Sequence, residues 1–291
     1  MQNHSVRVKV LGTAQDAGVP QANCYCVHCQ AARDDSNQRR FAASLALILP
    51  EDQGWYLLEA TPDLPEQLAL LHSSDPGLGL MCGIFLTHAH IGHYAGLMYL
   101  GKEAIASQGI PVWASAGMQT LLCQSAPWSQ LVQLGNVTLL PLLPDQPTQL
   151  HPWLSVTPWL VPHRNEFTET FAFKVTGPNR SLLFLPDLDR WEHWERSLSE
   201  IAQSVDYLLL DATFFSTAEL TVRGRSYSQV PHPLVLDTMD LLQPVVDAGK
   251  AQVIFLHLNH TNPLLRADSP ETNELLRRGF RVAQEGMELT L

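Results

Sequence analysis

The chain has 291 residues, 45% of them apolar and 16% charged, which allows a sizeable buried core and excludes wholesale disorder, collagen and coiled coil. No run approaches the ~18 consecutive apolar residues of a membrane span, and the first residues lack the apolar block of a signal peptide, so we expect a cytoplasmic protein. The net charge of −11 argues against nucleic acid or an anionic membrane as a partner, because both are bound through their phosphates.

Short apolar runs predict many strands and fewer helices. The predicted strands are 6–11, 44–49, 55–58, 83–87, 112–114, 137–140, 154–160, 171–175, 182–185, 207–211 and 252–256. The predicted helices are 64–71, 93–101, 116–123, 191–203, 233–242 and 270–277. Because several strands lack a crossover helix, the pattern predicts an α/β fold with two mixed β-sheets flanked by helices. No linker marks a boundary, so we expect residues 1–291 to form a single domain.

Three cysteines, Cys24, Cys26 and Cys29, lie within six residues near the start of the chain. The total of five cysteines is odd, and no export signal is visible, so metal binding is favoured over disulfides. The spacing suits a structural Zn²⁺, which needs a fourth ligand, and His28 inside the cluster is one candidate. Reduced cysteines without a metal are the alternative.

Three histidines, His88, His90 and His93, lie where the predicted strand 83–87 passes into a helix. His88 and His90 are two residues apart, so in an extended segment they point to the same side. Three imidazoles within one turn of chain suit a divalent ion of intermediate softness. The segment therefore predicts a site for zinc, iron or manganese.

Further candidate ligands follow four predicted strands. His163 follows strand 154–160, Asp187 follows strand 182–185, Asp211 closes strand 207–211, and His257 follows strand 252–256. Polar side chains just beyond strand ends are where open α/β architectures bind ligands. We expect Asp187, rather than its near neighbour Asp189, to face a metal.

The HxHxxH segment with the later His and Asp residues resembles the metallo-β-lactamase superfamily, which implies an αββα sandwich. The CxCxxC segment at 24–29, DATFF at 211–215 and HLNHTNP at 257–263 resemble the coenzyme pyrroloquinoline quinone biosynthesis protein B family. That resemblance covers essentially the whole chain. It implies a first metal on His88, His90 and His163, with Asp187 bridging to a second position completed by His93 and His257. Asp211 would support these ligands.

One position departs from the superfamily motif. Superfamily hydrolases usually carry Asp directly before the last His of the motif, whereas this chain has Gly92. The departure removes a ligand of the second metal. We therefore predict one firmly bound Zn²⁺, Mn²⁺ or Fe²⁺ and a weak or empty second site.

The same resemblance suggests two further roles. The chain is similar to the cyclic-phosphate phosphodiesterases of phosphonate breakdown, which implies His260 as the fourth ligand of the cysteine zinc. His232 matches a family position that implies a proton donor. It belongs to a polar stretch whose Arg223, Arg225 and Tyr227 would close over the metal and hold an anionic group, or else form a solvated loop.

The leading functional hypothesis is a metal-dependent hydrolase that uses a metal-bound hydroxide oriented by Asp187. A phosphodiester or cyclic phosphate is the first expectation for its substrate, with esters, lactones and amides next. One alternative is a mononuclear iron oxygenase or hydroxylase in the maturation of pyrroloquinoline quinone, another cofactor or a peptide. A non-catalytic carrier is another. The expected partner is a small-molecule or peptide-derived substrate, and a homodimer is left open.

Overall fold

In the computed structural model, residues 4–50, 54–221 and 230–291 are described. Apolar runs form strands that assemble into two sheets. The strands are β1 (Arg7–Gly12), β2 (Ser44–Leu49), β3 (Gly54–Leu58), β4 (Met81–Phe85), β5 (Ile110–Ala114), β6 (Val137–Pro141), β7 (Thr148–His151), β8 (Leu154–Leu160), β9 (Phe171–Thr176), β10 (Ser181–Leu185), β11 (Tyr207–Asp211), β12 (Gln252–Leu256), β13 (Arg281–Val282) and β14 (Glu288–Thr290).

Helices lie mainly between the strands. They are α1 (Val27–Asp34), α2 (Leu64–Ser74), α3 (Ile91–Tyr94), α4 (Ala116–Gln124), α5 (Trp128–Gln133), α6 (Leu198–Ile201), α7 (Ala218–Thr221), α8 (Val235–Asp247) and α9 (Pro270–Arg277). Shorter 3₁₀ turns cover Ser36–Gln38, Ala95–Leu100, Trp191–His193 and Pro263–Leu265. No helix in these described parts of the chain is both long and apolar enough to cross a bilayer.

Among the described residues the sheets have the orders β14-β1-β2-β3-β4-β5-β6 and β13-β12-β11-β10-β9-β8-β7. Each sheet mixes antiparallel and parallel pairs. In the first, β3, β4 and β5 are parallel, and two antiparallel pairings make β1 point the same way. In the second, β10, β11 and β12 are parallel, and β8 shares their direction. The carboxyl ends of the strands that precede the predicted ligands therefore share one edge of their sheet.

Three apolar layers hold the sandwich together. The inner layer fills the space between the sheets with fully buried side chains such as Val8, Leu47, Phe173 and Leu209. A second layer packs α8 and α9 on the outer face of the second sheet, and a third packs α2, α4 and α5 on the first sheet. Helices thus cover the outer faces of two packed mixed sheets, which confirms the predicted αββα fold class.

The sequence prediction of one helix over 191–203 is wrong. A 3₁₀ turn at Trp191–His193 is followed by a break, and α6 begins only at Leu198. The Ser197 hydroxyl accepts a hydrogen bond from the Glu200 amide and so starts a new helix. The buried Trp194 ring donates its Nε1–H to the Leu160 carbonyl at 2.8 Å, which holds the chain in the non-helical break.

The helix predicted over 93–101 is also different in the structure. Only Ile91–Tyr94 is α-helical, and Ala95–Leu100 forms a 3₁₀ turn. Gly96 lies so close to the preceding segment that a Cβ atom there would stand 2.0 Å from the Thr61 carbonyl oxygen. The helix predicted over 233–242 begins at Val235 and continues to Asp247. Strands β7, β13 and β14 and helices α1, α5 and α7 were not predicted.

Candidate metal centre

Histidines and carboxylates from separate loops meet where the two sheet edges adjoin. The loop after β4 carries His88, His90 and His93, and the loops after β8, β10 and β12 carry His163, Asp187 and His257. Their ligand atoms form two overlapping groups, each with all atoms within 4.8 Å of one another. We call the two groups together the histidine centre.

The first group contains His88, His90, His163 and Asp187. The Asp187 Oδ2 atom lies 3.4 Å from the Nε2 atoms of both His88 and His163, and 4.0 Å from His90 Nδ1. Tetrahedral zinc with bonds of about 2.0–2.1 Å to nitrogen and oxygen places its donors about 3.3–3.4 Å apart. The spacing of Asp187 from His88 and His163 therefore fits a divalent ion.

The second group contains Asp16, His93, Asp187 and His257. Asp16 Oδ1 lies 3.4 Å from His93 Nε2 and 3.6 Å from His257 Nε2. Asp187 Oδ2 lies 3.7 and 3.8 Å from the same two nitrogens. Among the described residues, the buried Nε2 atoms of His93 and His257 have no hydrogen-bond partner. A buried ring nitrogen without a partner is costly, and its lone pair suits a position made for a cation.

The charges of the first group favour metal binding. Burial alone raises the pKa of Asp187, but the imidazoles of His163 and His257 outweigh it and hold that pKa well below the usual range. Burial lowers the pKa of His88 well below its ordinary value, and the nearby His93 adds to the effect. An ionised carboxylate and a neutral imidazole are the forms that bind a divalent ion.

The far nitrogens of the ligating imidazoles contact polar side chains that fix the ring orientations. His88 Nδ1 contacts Thr87 Oγ1 at 2.9 Å, His163 Nδ1 contacts Asp189 Oδ1 at 2.9 Å, and His257 Nδ1 contacts Thr213 Oγ1 at 3.1 Å. His93 Nδ1 faces the buried Glu59 carboxylate at 3.6 Å. Such partners orient the rings and raise their basicity. His257 and Glu59 both have positive φ angles, 63° and 74°, a strained backbone that clusters at functional sites.

His232 and Asp211 lie beside the centre, where they form a third group with Asp187. His232 Nδ1 lies 2.8 Å from Asp211 Oδ2 and 3.3 Å from Asp187 Oδ1. Burial lowers the pKa of His232, but the Asp211 and Asp187 carboxylates outweigh it and raise that pKa above its ordinary value. The two carboxylates thus favour the protonated form of this imidazole at the edge of the centre.

The cysteine site is a separate group of Cys24, Cys26, Cys29 and His260. The three Sγ atoms lie 3.3, 3.5 and 3.4 Å from His260 Nδ1. Tetrahedral zinc with bonds of about 2.3 Å to sulfur and 2.0–2.1 Å to nitrogen requires a separation of about 3.5 Å. His28 lies elsewhere, with its Nδ1 atom 3.0 Å from the His260 carbonyl oxygen. The structure thus brings together His260, and not His28, with the thiols.

The structure brings every predicted ligand into the expected neighbourhood and adds two residues that sequence reasoning missed. Asp16 and Glu59 lie in the loops after β1 and β3 and face His93. The strand-end rule that selected Asp187 could have found both, since each carboxylate follows an apolar strand. The predicted Arg223, Arg225 and Tyr227 lie outside the described residues.

Comparisons with known proteins identify the family of this chain. The family model described as the beta-lactamase superfamily domain matches residues 54–258. The coenzyme PQQ synthesis protein B of Pseudomonas fluorescens strain Pf0-1 is 30% identical over 312 residues, covering 98% of this chain and 99% of that protein. Its counterpart from Pseudomonas savastanoi pv. phaseolicola is 28% identical, with the same coverage of both chains.

Solved structures show the same fold. Zinc-bound PqqB from Methylobacterium extorquens superposes with a TM-score of 0.82 at 24% identity, covering 98% of this chain and all of that one. A diphosphatase of the PhnP family superposes with a TM-score of 0.70 at 22% identity, covering 99% of this chain and 97% of that one. The chain therefore belongs to the metallo-β-lactamase superfamily and, within it, to the family of coenzyme PQQ synthesis protein B.

Proposed function

We propose that this protein is a metal-dependent hydrolase of a phosphodiester or cyclic phosphate in a small-molecule or peptide-derived substrate. The observation that carries the proposal is the position of Asp187 Oδ2, which lies 3.4 Å from His88 and His163 and 3.7–3.8 Å from His93 and His257. One carboxylate oxygen thus stands between two sets of imidazoles, an arrangement suited to holding cations against a reacting oxygen.

A zinc, manganese or iron ion in this centre would supply Lewis acidity, which lowers the pKa of water and polarises a phosphoryl oxygen. His88, His90 and His163 would hold the ion, and Asp187 would accept a hydrogen bond from a water and orient it. His232, whose pKa the Asp211 and Asp187 carboxylates raise, donates a proton to the leaving oxygen. Among the ligands, His90 and Asp16 are the more exposed, with 12% and 28% of their side chains accessible, so substrate enters from their side.

The choice of a phosphoester is supported by the fold neighbour described as a PhnP-family diphosphatase, and by the chemistry of cations beside a proton donor. The cysteine site acts separately as a structural zinc site. All four of its ligands are supplied by side chains, which leaves no position open for a substrate.

The test is turnover of a substrate panel with added zinc or manganese. The panel contains aryl phosphodiesters, nucleoside and ribose cyclic phosphates, diphosphates, esters and lactones. We expect hydrolysis of a phosphoester, and a loss of at least about 1,000-fold in kcat/KM for the double variant His88→Ala/His90→Ala. His72→Ala, at an exposed position on α2, is the matched control and retains activity. Absence of turnover above the double variant contradicts the proposal.

A role in coenzyme PQQ synthesis is the second candidate, favoured by the full-length similarity to proteins of that name. In this reading the centre holds one iron and supports oxidative chemistry on a cofactor precursor. Protein from iron-supplemented culture would then contain stoichiometric iron, and turnover would require dioxygen. Turnover of a phosphoester under nitrogen, with zinc or manganese, decides for hydrolysis.

A further inference from the structure

The second metal position has a carboxylate that the sequence motif does not supply. Gly92 stands where the superfamily motif carries Asp, and Asp16 from the loop after β1 lies directly against Gly92. We infer that Asp16 replaces the missing carboxylate and completes a second divalent-metal position with His93, His257 and Asp187. The inference rests on the metal centre of the proposed function, but not on hydrolysis.

Steric packing shows that Asp16 and a side chain at position 92 exclude each other. A Cβ atom built on Gly92 would lie 2.2 Å from the Cα, 2.5 Å from the Cβ and 2.7 Å from the Cγ of Asp16. These separations are far shorter than van der Waals contact. Asp16 therefore occupies the volume in which a side chain at position 92 would begin. Only glycine at position 92 leaves room for Asp16 there.

The donor geometry is that of a metal position rather than of a hydrogen-bonded ion pair. Asp16 Oδ1 lies 3.4 and 3.6 Å from the Nε2 atoms of His93 and His257. Hydrogen bonds of this type are about 2.7–3.2 Å long, whereas the edges of a zinc tetrahedron are about 3.3–3.4 Å. Both Nε2 atoms are buried and, within the described residues, have no hydrogen-bond partner.

Backbone pairing fixes Asp16 relative to His257. The Gln15 amide donates to the Leu258 carbonyl at 3.1 Å, and the Leu258 amide donates to the Thr13 carbonyl at 2.9 Å. These bonds tie Thr13 and Gln15, which lie just before Asp16, to the residue that follows His257. The Thr13 amide also donates to the Phe41 carbonyl at 2.8 Å. Because the segment just before Asp16 is hydrogen-bonded to Leu258 on one side and to Phe41 on the other, the position of Asp16 does not depend on a bound ion.

The experiment counts ions in the full-length protein. Metal-free protein is reconstituted with excess zinc, freed of unbound metal by gel filtration and analysed by elemental analysis. We expect about three zinc equivalents for the parent protein and about two for Asp16→Asn. Titration with Co²⁺, followed by visible absorption, should show the affinity of one position falling by more than about 100-fold, while the others are retained.

Two further variants complete the design. Asp34→Asn, an exposed carboxylate on α1, is the matched control and keeps all the ions. Gly92→Ala places a methyl group against the Asp16 backbone, so we expect it to lose the same single ion while circular dichroism shows an unchanged fold. Loss of one ion in both Asp16→Asn and Gly92→Ala supports the inference.

The inference is overturned if Asp16→Asn keeps the parent ion count and Co²⁺ affinity. It is also overturned if that variant loses both ions of the histidine centre, since Asp16 would then support the whole centre rather than one position. A parent protein that binds about three ions in an Asp16-dependent manner but hydrolyses no phosphoester leaves the inference standing and removes the proposed function.

Discussion

The cysteine site and the histidine centre both gather ligands suited to a metal ion, but they take those ligands from different parts of the chain. Three of the four cysteine-site ligands come from one short segment, 24–29, and His260 completes the set. The histidine centre draws its donors from the loops after β1, β4, β8, β10 and β12. The cysteine site is therefore mostly local in sequence and needs one distant residue. The histidine centre forms only because loops from the two sheets meet.

The two groups also differ in charge when no metal is bound. Burial raises the pKa of the Cys29 thiol to about 12, and the neighbouring thiols add to this effect, so the thiol remains neutral. The buried apolar side chains that pack with it are Ala14, Val19 and Ala32. The Asp187 carboxylate in the histidine centre is buried and ionised instead. A structural role suits the first environment, and a reactive role suits the second.

The largest expected effect concerns stability at the cysteine site. We expect Cys29→Ser to lower the free energy of unfolding by about 3 kcal/mol or more, because zinc bound only to the folded chain contributes its binding energy to folding. Urea unfolding in the presence of zinc measures the change. Cys123→Ser, at an exposed position, is the control and should be neutral. Equal stability of Cys29→Ser and the parent would remove the distinction between the two sites.

A moderate effect is expected at the histidine centre. Asp189 Oδ1 lies 2.9 Å from His163 Nδ1, so Asp189→Asn weakens the orientation and basicity of that ligand. We expect zinc affinity at the first position to fall roughly 10–100-fold, with little change in stability. Competition with a chromophoric chelator measures the affinity, and Asp145→Asn, a surface partner of Arg196, serves as the control. An unchanged affinity would show that this contact does not tune the ligand.

The smallest effect is a pH dependence beside the cysteine site. Glu219 accepts a hydrogen bond from Thr261, next to His260, and burial raises its pKa to about 7. Because the folded-state pKa lies above the ordinary glutamate value of 4.5, this group's contribution to stability is full below about pH 4.5 and is lost as pH rises through about 7.

Glu219→Gln should therefore become more stable than the parent above pH 7, by about 1 kcal/mol, with the difference shrinking toward pH 5. Thermal unfolding at several pH values measures it. A parallel pH dependence in the two proteins would mean that Glu219 does not titrate in this range.

Sequence reasoning worked best where a signal is continuous along the chain. The apolar runs of β2, β8, β11 and β12 gave strand bounds that the structure reproduces. The edge strands β13 and β14 were not predicted, because they have only two and three residues and expose Arg281 and Glu288. The break within 191–203 was not predicted either, since it depends on the contact between Trp194 and the distant Leu160 carbonyl.

By itself the sequence determined the superfamily, the cysteine cluster and the run of three histidines, because these rest on residues close together in the chain. Only the tertiary structure decided that Asp16 stands in the space left by Gly92, and that Asp187 Oδ2 lies between two groups of imidazoles. The sequence does not determine distances of a few ångströms between loops that are far apart in the chain. Those separations follow from which strand ends meet at the shared edge of the two sheets.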